Sequence, residues 1–66
     1  MNKPEIFAVT WLDFIPLSLH CADAAQAVEK ARDIAARAAA SKSTIRQIRA
    51  VHLPAGSNKL AVLWAA

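Results

Sequence analysis

The chain has 66 residues, of which 56% are apolar, a net charge of +3, a single glycine and a single cysteine. This length allows one domain, residues 1–66, whose small core is marginally stable, and the apolar content argues against disorder. The lone Cys21 excludes an internal disulfide and favours a reducing compartment such as the cytoplasm, and no apolar run approaches the ~18 residues that span a bilayer.

Two strands are predicted in the first third of the chain. IFAVTWLD, residues 6–13, is β-branched and aromatic and is apolar on both faces, which is typical of an interior strand. LSLHC, residues 17–21, alternates apolar and polar residues and indicates a half-buried strand. Because only a short turn ending at Pro16 separates them, the two strands are expected to pair antiparallel.

A helix is predicted next. Asp23 and Gln26 form a capping-box pattern at its start, and Asp33 and Arg37 make a favourable i,i+4 pair. The pattern decays over residues 41–44. An alanine-rich stripe lets the helix approach a sheet closely but buries little area, which suggests help from a second chain. The stripe consists of Ala24, Ala27, Val28, Ala31, Ile34, Ala35 and Ala38.

The rest of the chain is predicted to be a hairpin. IRQIRAVHL, residues 45–53, is an imperfect strand whose mixed parity indicates either a β-bulge or an edge position. PAGSN, residues 54–58, is the turn, and KLAVLWAA, residues 59–66, is again apolar on both faces.

These elements predict an α+β fold. A four-stranded, mainly antiparallel sheet in β-β-α-β-β order carries one alanine-rich helix packed on one face. The first and last strands, apolar on both faces, are expected in the middle, with the second and third at the edges. The other face then has no cover within the chain, so we expect another copy or a partner to cover it, and a homodimer is predicted.

No catalytic, metal or cofactor site is predicted, and the chain is expected not to be an enzyme. His20 and Cys21 are neighbours on a strand and point to opposite faces, so they cannot form a nucleophilic pair. With His52 they are too few for structural zinc within one chain, although a site shared across a dimer stays open. Gly56, the one glycine, excludes a Gly-rich phosphate loop.

Charge asymmetry points to a binding function instead. Five acidic and three basic residues lie up to Asp33, whereas the remainder carries five basic residues and no acid. These cations fit an acidic or nucleic-acid-bearing partner, phosphate contacts, or solubilising charge at a sheet edge. The candidate partner-binding residues are Arg46, Arg49, Lys59, Lys42 and His52.

Three aromatic residues are candidate interface anchors, because such side chains dominate binding hot spots. They are Trp11, Trp64 and Phe14, and the two tryptophans fit a core position equally well since they lie in strands. The sequence gives little support for a nucleic-acid site that stacks bases, because His52 is the only ring among the basic residues of the hairpin.

Two stretches carry a family resemblance: LSLHCADAAQAVEKARDIA enters a capped alanine-rich helix directly from a strand, and GSNKLAV opens the last strand. Over residues 5–65 the layout resembles small phage-encoded anti-CRISPR proteins. The resemblance implies an inhibitor that binds a protein surface of a bacterial defence nucleoprotein complex in the host cytoplasm. The basic charge does not fit DNA mimicry. A small nucleic-acid-binding protein and a dimerising accessory or antitoxin-like domain are the alternatives.

Overall fold

A computed structural model describes residues 4–66, so the first three residues of the predicted domain lie outside it. Four strands form one sheet in the order β2-β1-β3-β4, and every neighbouring pair is antiparallel. Over residues 4–66 a single helix packs on one face of this sheet, which confirms the predicted α+β class and the order of elements. The elements are β1 Ile6–Leu12, β2 Pro16–Cys21, α1 Ala24–Ala40, β3 Arg46–Leu53 and β4 Ala61–Ala65.

The strand order differs from the predicted one. β1 and β3 occupy the middle and β2 and β4 the edges, so the prediction was right for β1 and β2 and wrong for β3 and β4. Since β2 and β3 both run antiparallel to β1, they are parallel to each other and need a long crossover, which α1 supplies. The chain then turns back from β3, and the hairpin leaves β4 outermost.

Caps at both ends define α1. At the start, the Gln26 backbone N–H donates to Asp23 Oδ1 at 2.8 Å, and Gln26 Oε1 accepts from the Ala22 N–H at 2.6 Å. This confirms the predicted Asp23–Gln26 cap, with the reciprocal bond one residue earlier than in a standard capping box. At the end, Lys42 lies in the left-handed region at a φ of 55°, and the Ser43 N–H returns to the Ala38 carbonyl at 2.9 Å. That is a Schellman motif closed without glycine.

The core lies between α1 and the sheet face that α1 covers, here called the helix face. Ala27 and Ala31 of α1 are fully buried against Val9, Ile48 and Ala50 of the two central strands. Alanine lets the helix lie close to the sheet, and larger half-buried side chains surround this contact. These include Phe7, Trp11, Cys21, Val28, Ile34 and Trp64.

The opposite face, here called the back face, has no cover from the described part of the chain. Ala8 and Val51 pair across the two central strands there and are only 5% and 4% exposed. Their neighbours across the sheet, His20 beside Ala8 and Val62 beside Val51, provide this shielding. Ser18, His20 and Arg49 are exposed on the same face, so it combines a small aliphatic centre with a polar margin.

Candidate partner-binding site

A β-bulge in β3 determines where the arginines of this strand lie. β1 pairs with β3 through Thr10–Arg49 and Leu12–Arg46, so two residues of β3 lie opposite Trp11 alone. One of them, Gln47, has a φ of 56°, a conformation that a bulge accommodates. Because directly paired residues share a face, Arg46 and Arg49 both lie on the back face.

An open groove lies beside these two arginines, with a volume of about 270 Å³. It runs along β1 and β2 where the two strands approach their connecting turn. Thr10 and Leu12 line it, and these are the pairing partners of Arg49 and Arg46. The groove is therefore contiguous with the arginines. Its complete lining is Thr10, Trp11, Leu12, Pro16, Leu17, Ser18 and Gln47.

The turn between β1 and β2 presents apolar side chains at the end of this groove. Phe14 is 99% exposed and Ile15 is 63% exposed, although both are large and apolar. The pair Leu12–Pro16 closes the turn. Asp13 Oδ1 accepts a hydrogen bond from Thr44 Oγ1 at 3.2 Å, which joins the turn to the segment that leads into β3. This hydrogen bond fixes the turn, and Phe14 and Ile15 are exposed on it.

We call this group the turn-end site. It combines two guanidinium groups, a groove of mixed polarity and two exposed apolar side chains. Within residues 4–66 the ion pairs are Arg37–Asp33 on α1 and His52–Glu5, and neither uses an arginine of the site. The site consists of Leu12, Phe14, Ile15, Pro16, Arg46, Gln47 and Arg49.

The five predicted cationic residues do not form one cluster. Arg46 and Arg49 lie towards the β1–β2 turn, whereas His52 pairs with Ala61 at the other end of β3, and Lys59 precedes β4 there. His52 Nε2 lies 2.7 Å from Glu5 Oε1, and the imidazole stacks on Phe7 with ring centroids 4.5 Å apart. The His52 side chain is therefore already engaged within the domain.

The three predicted anchors have different environments. Trp11 and Trp64 are half-buried on the helix face and pack against the core. Phe14 is the most exposed large apolar residue in the described chain. An anchoring role stays a prediction for all three, and the position of Phe14 is the one that a partner reaches without displacing the core.

The remaining chemical groups are dispersed. The β1–β2 register places Cys21 opposite Phe7 and His20 opposite Ala8, hence on the two different faces, as predicted. Among residues 4–66, no three His, Cys, Asp or Glu side chains come together as a metal site would require. The described helix is too short and too polar to cross a membrane.

Sequence reasoning missed part of the turn-end site. Leu12, Ile15, Pro16 and Gln47 were not predicted as binding residues, and the groove depends on a β1–β2 register that no local pattern specifies. One signal was present: the broken parity of residues 45–53 is the trace of the bulge, and a bulge between Arg46 and Arg49 implies that both side chains share a face.

No family model, no curated protein and no solved structure matches the chain. The functional assignment therefore depends on the geometry of the molecule itself.

Proposed function

We propose that the chain is a small non-enzymatic binding protein that recognises an acidic protein surface through the turn-end site. The observation that carries this proposal is the bulge at Gln47, which brings Arg46 and Arg49 to one face beside the exposed Phe14 turn. Guanidinium groups stay protonated and bind carboxylates through two parallel hydrogen bonds. Aromatic residues and arginine are also the residue types enriched in binding hot spots.

The distribution of rings favours a protein partner over a nucleic acid. Sheet-based readers of single strands stack bases on aromatic side chains that share a face with their cations. Here the rings that lie in strands, Phe7, Trp11 and Trp64, are on the helix face. Phe14 lies near the arginines, but it is a single ring in a turn and not part of a row of rings on the sheet. The apolar side chains exposed beside the two arginines are Phe14 and Ile15, and this combination suits a protein surface with apolar and acidic groups.

A narrower form of the proposal concerns the biological role. The β-β-α-β-β layout is the feature that resembles small phage-encoded inhibitors of bacterial defence complexes. We therefore propose that the acidic surface belongs to a protein of such a nucleoprotein complex, and that occupying it inhibits the complex. This role requires only binding, which the side chains of the turn-end site are suited to provide.

Charge reversal tests the binding proposal. Immobilised chain is incubated with nuclease-treated bacterial lysate, and captured proteins are quantified for the wild type, Arg49→Glu and Lys30→Glu. Lys30 is exposed on α1, away from the turn-end site, so Lys30→Glu makes the same change of charge elsewhere. We expect an acidic protein that the wild type and Lys30→Glu retain and that Arg49→Glu binds at least about tenfold less tightly.

Two results count against the proposal. One is a captured set that is the same for all three proteins. The other comes from a separate binding assay with mixed-sequence DNA. If the wild type binds this DNA at physiological salt and Arg49→Glu does not, the nucleic-acid alternative is favoured. The inhibitory role has its own test, in which phage plating is measured on a CRISPR-protected host that expresses the wild type or Arg49→Glu. If the wild type does not raise phage plating, the inhibitory role is rejected, and the binding proposal is unaffected.

A further inference from the structure

We infer that two copies of the chain pair through β4, edge to edge and antiparallel, to form a continuous eight-stranded sheet. This dimer uses a different surface from the turn-end site, and it is independent of the proposed function. Its basis is a mismatch between the composition of β4 and its position. The strand carries no charge and no proline, and it lies at an edge with one side unpaired.

Edge strands normally carry features that prevent pairing with another chain, such as charge, proline or a β-bulge. β4 has a bulge at Leu63, where its register with β3 shifts, but it has neither charge nor proline. β2 begins with Pro16 and contains His20. In β4, by contrast, Val62 is 54% exposed on the back face and Leu63 is 38% exposed, while Leu60 just before the strand is 56% exposed. A strand that is apolar on both faces is typical of a sheet interior, and a paired second copy would place β4 there.

A groove between α1 and β4 supplies the second part of the interface. It is lined by Ala24, Ala25, Val28, Glu29, Arg32 and Leu63 and has a volume of about 520 Å³. Antiparallel pairing of identical strands creates a twofold axis perpendicular to the sheet. Both α1 helices then lie side by side on the same face, with Leu63 and Val28 of each copy between them.

Charge complementarity identifies the occupant as a second copy. A twofold interface must be self-complementary, because the same patch meets itself. The groove is lined by one acidic residue, Glu29, and one basic residue, Arg32, together with apolar side chains that include Leu63. Rotation about the twofold axis brings Glu29 of one copy towards Arg32 of the other. A partner surface with charge of one sign would be complementary to only one of these two side chains, Glu29 or Arg32.

The small core is consistent with this assembly. Of the seven buried apolar residues in the described part of the chain, four are alanine, and Val9 is the largest side chain there that is fully buried. A domain of this size rarely reaches useful stability from its own core, and oligomerisation is a common remedy. Covering Leu60, Val62 and Leu63 adds apolar burial where the single chain leaves it exposed.

The test measures solution mass by light scattering and sedimentation, for the wild type and for one apolar-to-lysine variant at each edge. We expect a wild-type mass of twice 7.1 kDa. Val62→Lys should weaken the dimer at least about tenfold, because each copy brings a charge to the paired edge. Leu19→Lys on β2, where Leu19 is 41% exposed, should leave the dimer intact.

A second measurement applies even if Val62→Lys fails to fold. Glu29→Arg and Arg32→Glu should each weaken the homodimer by roughly two- to fivefold, and an equimolar mixture of the two variants should restore association. Either of two results overturns the inference: a wild-type chain that is monomeric at about 100 µM, or a dimer insensitive to Val62→Lys and to both charge variants.

Discussion

The helix face and the back face of the sheet bury valines to nearly the same extent in different ways. Val9 is 0% exposed under α1, whereas Val51 is 4% exposed with only its neighbours in the sheet to shield it. Packing from a second layer adds dispersion contacts that a single layer cannot provide. The comparison indicates that burial on the helix face contributes more to stability than burial on the back face.

Truncating one valine on each face gives the largest expected difference in stability. Val9→Ala should cost about 2–3 kcal/mol, because it removes two methyl groups and leaves a cavity under α1. Val51→Ala should cost roughly half as much, since a site open on one side leaves no enclosed cavity. Urea unfolding measures both, as shifts in the midpoint at constant slope. Equal losses would mean that the back face is covered in solution.

Removing the cap of α1 tests how far the helix face depends on the helix. Asp23→Ala should destabilise the domain by about 1 kcal/mol, because the Gln26 N–H loses its acceptor. Asp33→Ala is the matched control on the same helix. It breaks only the exposed pair with Arg37, which is worth about 0.3 kcal/mol. Losses of the same size for both variants would contradict a specific contribution from the cap.

Lys42 and Gln47 have positive φ angles. Replacing them by glycine tests the segment that leads from α1 to the turn-end site. Lys42→Gly and Gln47→Gly should each stabilise the domain by about 0.5 kcal/mol, because glycine adopts positive φ without steric cost. Lys30→Gly in the middle of α1 is the control, and it should cost about 1 kcal/mol. Thermal denaturation measures all three, and a loss of stability on Lys42→Gly would count against this account of the helix end.

Replacing Phe14 should have little effect on stability. Because the side chain is 99% exposed, Phe14→Ser should change the free energy of unfolding by less than about 0.5 kcal/mol. In the capture assay, however, the same variant should lose the acidic partner, as Arg49→Glu does. A marked loss of stability would show that Phe14 packs within the domain, and unchanged capture would remove it from the binding site.

The sequence by itself determined the type and order of the elements. Alternation in LSLHC, the Asp23–Gln26 cap and the alanine stripe are local signals, and they predicted the strand, the cap and the buried side of the helix that the structure has. The predicted burial of LSLHC was wrong for Leu17 and Leu19, which are both 41% exposed at the sheet edge. Local hydrogen bonds and side-chain periodicity decide such features, so a short window of sequence contains the information.

Tertiary structure alone decided the neighbours of each strand and the faces of several side chains. Apolar residues on both sides of β4 predicted a central strand, yet α1 carries the chain across β1, so β3 takes that place. The bulge at Gln47 brought Arg46 and Arg49 to one face, although their spacing in a regular strand would separate them. The reason is that strand order and register depend on pairings between residues far apart in the chain.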